Sequence, residues 1–265
     1  MADFLIGFKQ QRSHAFPRAR AERTGRSRDR IPTERYRPCV SSVSTRAGRL
    51  ALPIPEKPRL RGVSHQYAFF VSLLCGVALI LAASGGRARV AATIYAVAVS
   101  ALLGTSALYH RVSWRPSARR WMRRLDHSMI FVLIAGTYTP VALLALKGSL
   151  ASAILIALWA GAIGGVVFKL VWIDAPKWLF AGVYVALGLV TAAVFGELPA
   201  AIGWLGVAGL ATGGLLYVIG AVIYASGRPN PVPNVFGYHE VFHAFVLAAA
   251  GLHYAVIAFA VLPRG

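Results

Sequence analysis

Acidic residues are scarce in this chain: nine Asp and Glu stand against 28 Lys and Arg in 265 residues. Beyond residue 62 only Asp126, Asp174, Glu197 and Glu240 remain. Charged residues of both signs make up 14% of the chain, well short of the quarter or so that a soluble domain carries. Cysteine is nearly absent too. Cys39 and Cys75 form no disulfide framework and offer no cysteine-based metal site. A secretory signal is not expected either, because Phe4-Leu5-Ile6 is too short for its apolar segment.

What is abundant is apolar side chain, 57% of the residues with a mean hydropathy of +0.60. The charge is concentrated at one end. Residues 1–62 hold 15 of the 28 basic residues and 5 of the 9 acids, in runs such as Arg26-Ser27-Arg28-Asp29-Arg30. Too few apolar residues lie there to offset the entropy of ordering them, so a basic, disordered tail is expected over 1–62. That tail is expected to contribute nothing the membrane domain needs, which also fits an over-extended start. The net charge of +19 therefore reflects topology and attraction to anionic headgroups, and no nucleic-acid partner is expected.

From residue 66 the chain reads as seven apolar stretches, at roughly 66–84, 90–110, 126–146, 149–172, 178–195, 200–225 and 237–262, each long enough to span a bilayer as a helix. Lipid cannot satisfy open backbone groups, and barrel-type alternation is missing. The expected fold is all-α: an integral membrane protein in which residues 63–265 form a seven-transmembrane-helix bundle. Lys and Arg flank the segments unevenly. Arg111, Arg115, Arg119, Arg120, Arg123 and Arg124 follow the second helix, whereas Arg87 and Arg89 alone follow the first. The positive-inside rule then predicts a cell-membrane protein with a cytoplasmic N-terminus and an external C-terminus.

Ionisable residues inside such segments are costly and point to function. Ser106 and His110 close the second segment, Asp126 opens the third, and His239 and His243 open the last. With seven helices, all these ends fall on the cytoplasmic side; with six, His239 would face away from His110. Ser106 and His110 are four apart, as are His239 and His243, so each pair shares a helix face. Two imidazoles from one helix and a third from a neighbour match a catalytic zinc site, which leaves a fourth position for water. Asp126 is then placed to accept that water's proton, and Ser106 to hydrogen-bond the water or a substrate oxygen.

Other readings compete. His239-Glu240-Val241-Phe242-His243 matches the metalloprotease pattern H-E-x-x-H, but no acid follows Glu240, and His253 lies about 15 Å further along the helix. Glu240 is expected to cap its helix or to pair near Arg111 or Arg124. Haem ligation needs facing histidines in repeated pairs. His127 is expected to contact a headgroup or loop, His253 to make a buried hydrogen bond, and His65 to sit at the rim of the site. Pro140 is expected to kink its helix. Gly161 to Gly165 and Gly209 to Gly213 are read as close-packing faces. The Arg cluster has topology as its simplest meaning; recruitment of an anionic headgroup by Arg119, Arg120 and Arg123 is the alternative.

Three motifs, Ser106-Ala107-Leu108-Tyr109-His110, then Leu125-Asp126-His127-Ser128 running into Ala135-Gly136-Thr137-Tyr138-Thr139-Pro140, then His239-Glu240-Val241-Phe242-His243, resemble the hemolysin III family. That family is the bacterial branch of the progestin and adipoQ receptor family and is related to alkaline ceramidases. The resemblance covers about 56–262. It implies seven helices, a cytoplasmic N-terminus, and zinc held by His110, His239 and His243, with Asp126 and Ser106 around the water. In the eukaryotic relatives such a site is associated with hydrolysis of ceramide-like amides; in the bacterial branch the name refers to cytolytic, pore-forming behaviour. Two function classes follow. One is a zinc-dependent membrane hydrolase acting on a lipid amide or ester. The other is a non-catalytic pore-former, receptor or lipid-homeostasis factor with a structural zinc. Membrane lipids are the expected partners in both, and oligomeric state is left open by the sequence.

Overall fold

A computed structural model describes residues 57–264 of the chain. The expected disorder of residues 1–56 lies outside the described residues. Seven helices follow in order: α1 Val63–Ala82, α2 Gly86–Arg111, α3 Pro116–Pro140, α4 Gly148–Val171, α5 Lys177–Leu189, α6 Leu198–Ser226 and α7 Tyr238–Val256. Three of them run on into short irregular turns: a π-helical turn at Val141–Ala145 after α3, a 3₁₀ turn at Val190–Val194 after α5, and a π-helical turn at Ile257–Val261 after α7. With these extensions, all seven are long and apolar enough to cross a membrane. Among the described residues the only β-type pairing is one isolated bridge between Val232 and Phe236.

α1 packs on α2, α2 on α3, α3 on α4, and α6 on α7; α7 also touches α1, and α5 touches α3, α4 and α6. Short connections make successive helices antiparallel, which returns the end of α2, the early turns of α3 and the start of α7 to one end of the bundle. Small residues set the spacing. α2 buries Ala88, Ala91, Ala92, Ala96 and Ala98, an alanine face that lets its neighbours approach closely. A Cβ at Gly76 of α1 would stand 2.9 Å from the Ala96 side chain. The glycine runs noted in the sequence work inside the bundle: Gly161 and Gly165 of α4 face Leu187 and Phe131, and Gly209 and Gly213 of α6 face Val256 and His253.

Three boundaries differ from expectation, each for a physical reason. α3 begins at Pro116, ten residues before the apolar stretch, so only residues 112–115 connect it to α2 and Asp126 sits three turns inside. Pro116 occupies the first turn, where its fixed φ suits a helix, and the following Arg, Ala, Met and Leu are good helix formers. Hydropathy registers the bilayer core, not the helix that projects beyond it. Pro140 keeps helical angles (φ −59°, ψ −42°), and the irregularity follows it as the π-helical turn, at the far end of α3 from Asp126. α6 is broken at Gly203, where φ is +72°, a conformation other residues adopt only under strain.

A further difference concerns residues 57–62, assigned above to the tail. Arg59 N–H donates to the Asn234 carbonyl (3.0 Å) and Leu60 N–H to that of Val235 (3.1 Å), fastening this segment to the α6–α7 connection. Gly62 then caps α1 at φ +78°.

Candidate metal centre

α2 carries Ser106 and His110 on one face, and α7 carries His239 and His243 one turn apart. α7 starts where it does because the Glu240 carboxylate, in its first turn, accepts the Gly237 N–H at 2.8 Å. His110, His239 and His243 converge: their candidate ligand atoms all lie within 4.8 Å of one another, and all three residues are buried. Nε2 of His110 and Nε2 of His239 are 3.2 Å apart, within hydrogen-bonding distance.

Asp126 and Ser106 complete the group. A carboxylate oxygen of Asp126 (Oδ2) lies 3.9 Å from His110 Nε2, and the Ser106 hydroxyl faces that carboxylate. Thus all five residues singled out from the sequence meet at one end of the bundle. Gly62 backs the site from α1. A Cβ there would fall 2.5 Å from the Cβ of His110, so the positive φ and the close approach both call for glycine.

The other histidines settle differently from expectation in two of three cases. His65 is not at the rim: it is 2% exposed and stacks flat on His243, with ring centroids 3.8 Å apart and planes 8° apart. His127 bonds inside the bundle instead of to a loop. Its Nδ1–H donates to the Arg123 carbonyl at 2.9 Å, and its Nε2 accepts from Tyr224 of α6 at 3.2 Å. His253 makes the expected buried bond, donating from Nε2 to the Leu210 carbonyl at 3.1 Å.

Glu240 is committed elsewhere. It is 3% exposed, pairs with Arg61 rather than with Arg111 or Arg124, and caps α7. A carboxylate held by an Arg and a backbone N–H is not a free general base, which removes the structural context the H-E-x-x-H pattern requires. Arg61 is the contribution sequence reasoning missed, and His65 was expected at the rim, not stacked on His243. Part of the signal was available in Glu240 itself, since a buried acid requires a cation, but the sequence offered Arg111 and Arg124 as readily as Arg61. Cations also crowd the outer side here: burial, then the charges of Arg119, Arg111 and Arg61, lower the pKa of the Lys57 amine from its ordinary value. Arg123 is bound to Asp174 at 2.8 Å, and Arg124 donates to the Leu170 carbonyl at 2.9 Å, so this part of the Arg cluster also ties α3 to the end of α4.

The donor set fits a metal. Tetrahedral zinc with Zn–N bonds near 2.0 Å places two nitrogens roughly 3.4 Å apart, close to the 3.2 Å between His110 and His239. His243 Nδ1 has no hydrogen-bond partner although it is buried, an orphaned position that metal binding to this ring would account for. Three imidazoles with one nearby carboxylate suit a borderline cation of the zinc type.

The site opens onto a cavity of about 410 Å³ that runs along α3, α5 and α6. Ser106, Asp126, His239 and His243 line one region of it; Ile130, Leu133, Val185, Leu189, Leu215 and Val218 give the rest a mainly apolar wall.

Sequence comparison agrees with this architecture. The family model described as Haemolysin-III related matches residues 55–254. "Hemolysin-3 homolog" of Bacillus subtilis (strain 168) is 32% identical over 200 residues, covering 74% of this chain and 91% of that protein. "Hemolysin-3" of Bacillus cereus is 31% identical over 204 residues, covering 76% and 90%. "Monocyte to macrophage differentiation factor" of Homo sapiens is 30% identical over 173 residues, covering 64% and 69%. The fold and the buried histidine cluster define a multi-pass, seven-helix membrane protein. The chain belongs to the haemolysin III family.

Proposed function

We propose that this protein is a zinc-dependent membrane hydrolase that cleaves an amide or ester bond in a lipid. His110, His239 and His243 would hold the metal, and Asp126 and Ser106 would work beside it. The observation that carries the reading is the position of Asp126: a carboxylate 3.9 Å from a candidate ligand, facing a serine hydroxyl, beside a largely apolar cavity of about 410 Å³. A purely structural site has no use for either the carboxylate or the cavity.

When bound, zinc supplies Lewis acidity and lowers the pKa of water to about 7. The chain's residues supply the rest. The apolar wall takes the acyl chain and excludes bulk water from the reacting carbonyl. Asp126 Oδ2 accepts a proton from the attacking water as its oxygen bonds to the carbonyl carbon. The carbon–nitrogen or carbon–oxygen bond then breaks, and the same proton passes from Asp126 to the leaving amine or alkoxide. Ser106 orients the Asp126 carboxylate by hydrogen bonding to it. Arg61 and Glu240 keep the start of α7, and so His239 and His243, in register with α2.

The charge asymmetry of the flanks supports a cytoplasmic N-terminus and an external C-terminus, which puts the histidines near the cytoplasmic face. A second reading has one observation in its favour. His110 and His239 hydrogen-bond each other at 3.2 Å, which ties α2 to α7 with no catalysis required. In that reading the protein is a non-catalytic membrane protein, and cytolysis of the kind suggested by the name of the Bacillus cereus relative would arise elsewhere.

The two part on Asp126→Asn. With zinc-loaded protein in lipid nanodiscs and a panel of N-acyl amides and acyl esters, the wild type is expected to turn over at least one. Asp126→Asn should retain its zinc and lose about 100-fold or more in rate, the usual worth of a general base. Equal rates in the two proteins, or no turnover of any member by zinc-loaded wild type, would overturn the hydrolase reading.

A further inference from the structure

Lys169 is an amine out of place. It lies in the last turn of α4, is only 3% exposed, and its Nζ sits 3.3 Å from the centre of the Phe180 ring. The cation–π contact offsets part of the cost of burying the charge. None of the ion pairs found among the described residues includes Lys169. A lysine that reaches for water along the bilayer edge is exposed at its tip; this one is enclosed by protein.

What it faces is the cavity. Lys169, Arg123 and Lys177 all line that space, near the connection between α4 and α5. The acid nearest this group in the chain, Asp174, is engaged by Arg123 at 2.8 Å with a side chain that is 76% exposed. Lys177 lies over the rings of Tyr224 and Tyr238 at 5.1 and 5.3 Å and donates to the Tyr238 hydroxyl at 3.4 Å. Asp126 lines the cavity too, but it is turned towards Ser106, His110 and His127. Three cations and one shared acid therefore leave positive charge uncompensated beside an apolar cavity. Unpaired charge in such a place is costly unless an anion meets it, and low local polarity strengthens the attraction to one that does.

We propose that Lys169 is the headgroup-binding residue of the cavity, and that the ligand is a single-chain amphiphile ending in an anionic oxygen group, a carboxylate or a phosphate. Arg123 and Lys177 form the outer part of the same subsite. This deepens the hydrolase reading by naming its ligand class, but it concerns binding and stands or falls separately.

The test uses full-length protein in phosphatidylcholine nanodiscs and three probes with the same chain: dodecanoate, dodecyl phosphate and dodecanol. Wild type is expected to bind at least one anion about tenfold or more tightly than dodecanol, the size of one charge-assisted hydrogen bond. Whichever anion shows the larger advantage identifies the headgroup. Lys169→Met, similar in length and apolar, should lose that advantage with dodecanol affinity unchanged. Lys169→Arg should keep most of it. Retention of zinc in Lys169→Met separates this effect from an anion bound at the histidines. No anion advantage in wild type, an advantage that survives in Lys169→Met, or no binding of any probe would each overturn the proposal. Should Lys169→Met fail to fold, the wild-type comparison decides alone. Anion binding without any turnover would sink the hydrolase reading and leave this one; turnover of neutral lipids with no anion preference would do the reverse.

Discussion

Glu240 shows how a single residue couples the segment before α1 to the helix that carries His239 and His243. At 3% exposed it would be costly as an unpaired carboxylate, and it is matched by Arg61 on one side and the Gly237 N–H on the other. Removing one partner of a buried pair leaves the other uncompensated. Arg61→Ala is therefore expected to destabilise the protein by about 3 kcal/mol, and Arg61→Ala with Glu240→Ala together to cost less than the sum of the two. Denaturant unfolding in detergent measures this; simple additivity would show that the pair is not coupled. The candidate ligands themselves were legible in the sequence. Ser106 and His110, and His239 and His243, sit at helical spacing in segments that have little other reason to carry polar groups. The stacking of His65 on His243 was not legible, because spacing within α1 says nothing about which face meets α7. Nor was the direction of His127, since a residue adjacent to Asp126 by sequence points about 100° away around the helix.

At the level of elements, number and type were readable from apolar length, while ends set by other forces were not. α3 starts at Pro116 because of a proline and a run of helix formers that hydropathy counts as loop. Residues 57–62 look like tail by composition, yet Arg59 and Leu60 bond to Asn234 and Val235, Arg61 pairs with Glu240, and Gly62 backs His110. These are contacts between distant parts of the chain, and no local pattern announces them. Their consequence is testable by shortening the chain. Protein beginning at Lys57 keeps every one of these contacts; protein beginning at Val63 loses them all. The second is expected to unfold at a clearly lower temperature and to hold its metal less tightly, with the start of α7 as the weakened part. Equal melting of the two forms would mean that this segment is dispensable.

For the molecule as a whole, seven spanning helices put the start of α1 and the end of α7 on opposite faces. The excess of Lys and Arg beside the α2–α3 connection over that beside α1–α2 is the ground for the proposal that the face where α1 begins is cytoplasmic. A reporter active only in the cytoplasm is expected to work when fused ahead of residue 1 and to be silent when fused after residue 265. The reverse pattern would move the histidine cluster to the external face and with it the side from which a lipid enters. The ends of α2, α3 and α7 coincide only in a bundle with this number of helices. That is why the candidate site could be anticipated from a sequence in which its members are up to 137 residues apart, from Ser106 to His243. The cavity could not be anticipated, since it is bounded by α5 and α6, whose apolar residues read as ordinary lipid-facing or packing positions.

The most direct measurement is the metal content of purified full-length protein never exposed to chelator, with wild type beside His110→Ala, His243→Ala and Asp126→Ala. About one zinc per chain is expected in wild type by the three-ligand geometry, lost in both histidine variants and largely kept in Asp126→Ala. A metal-free wild type, or zinc that persists in both histidine variants, would contradict a three-histidine metal centre and leave these residues as hydrogen-bonding links between α2 and α7.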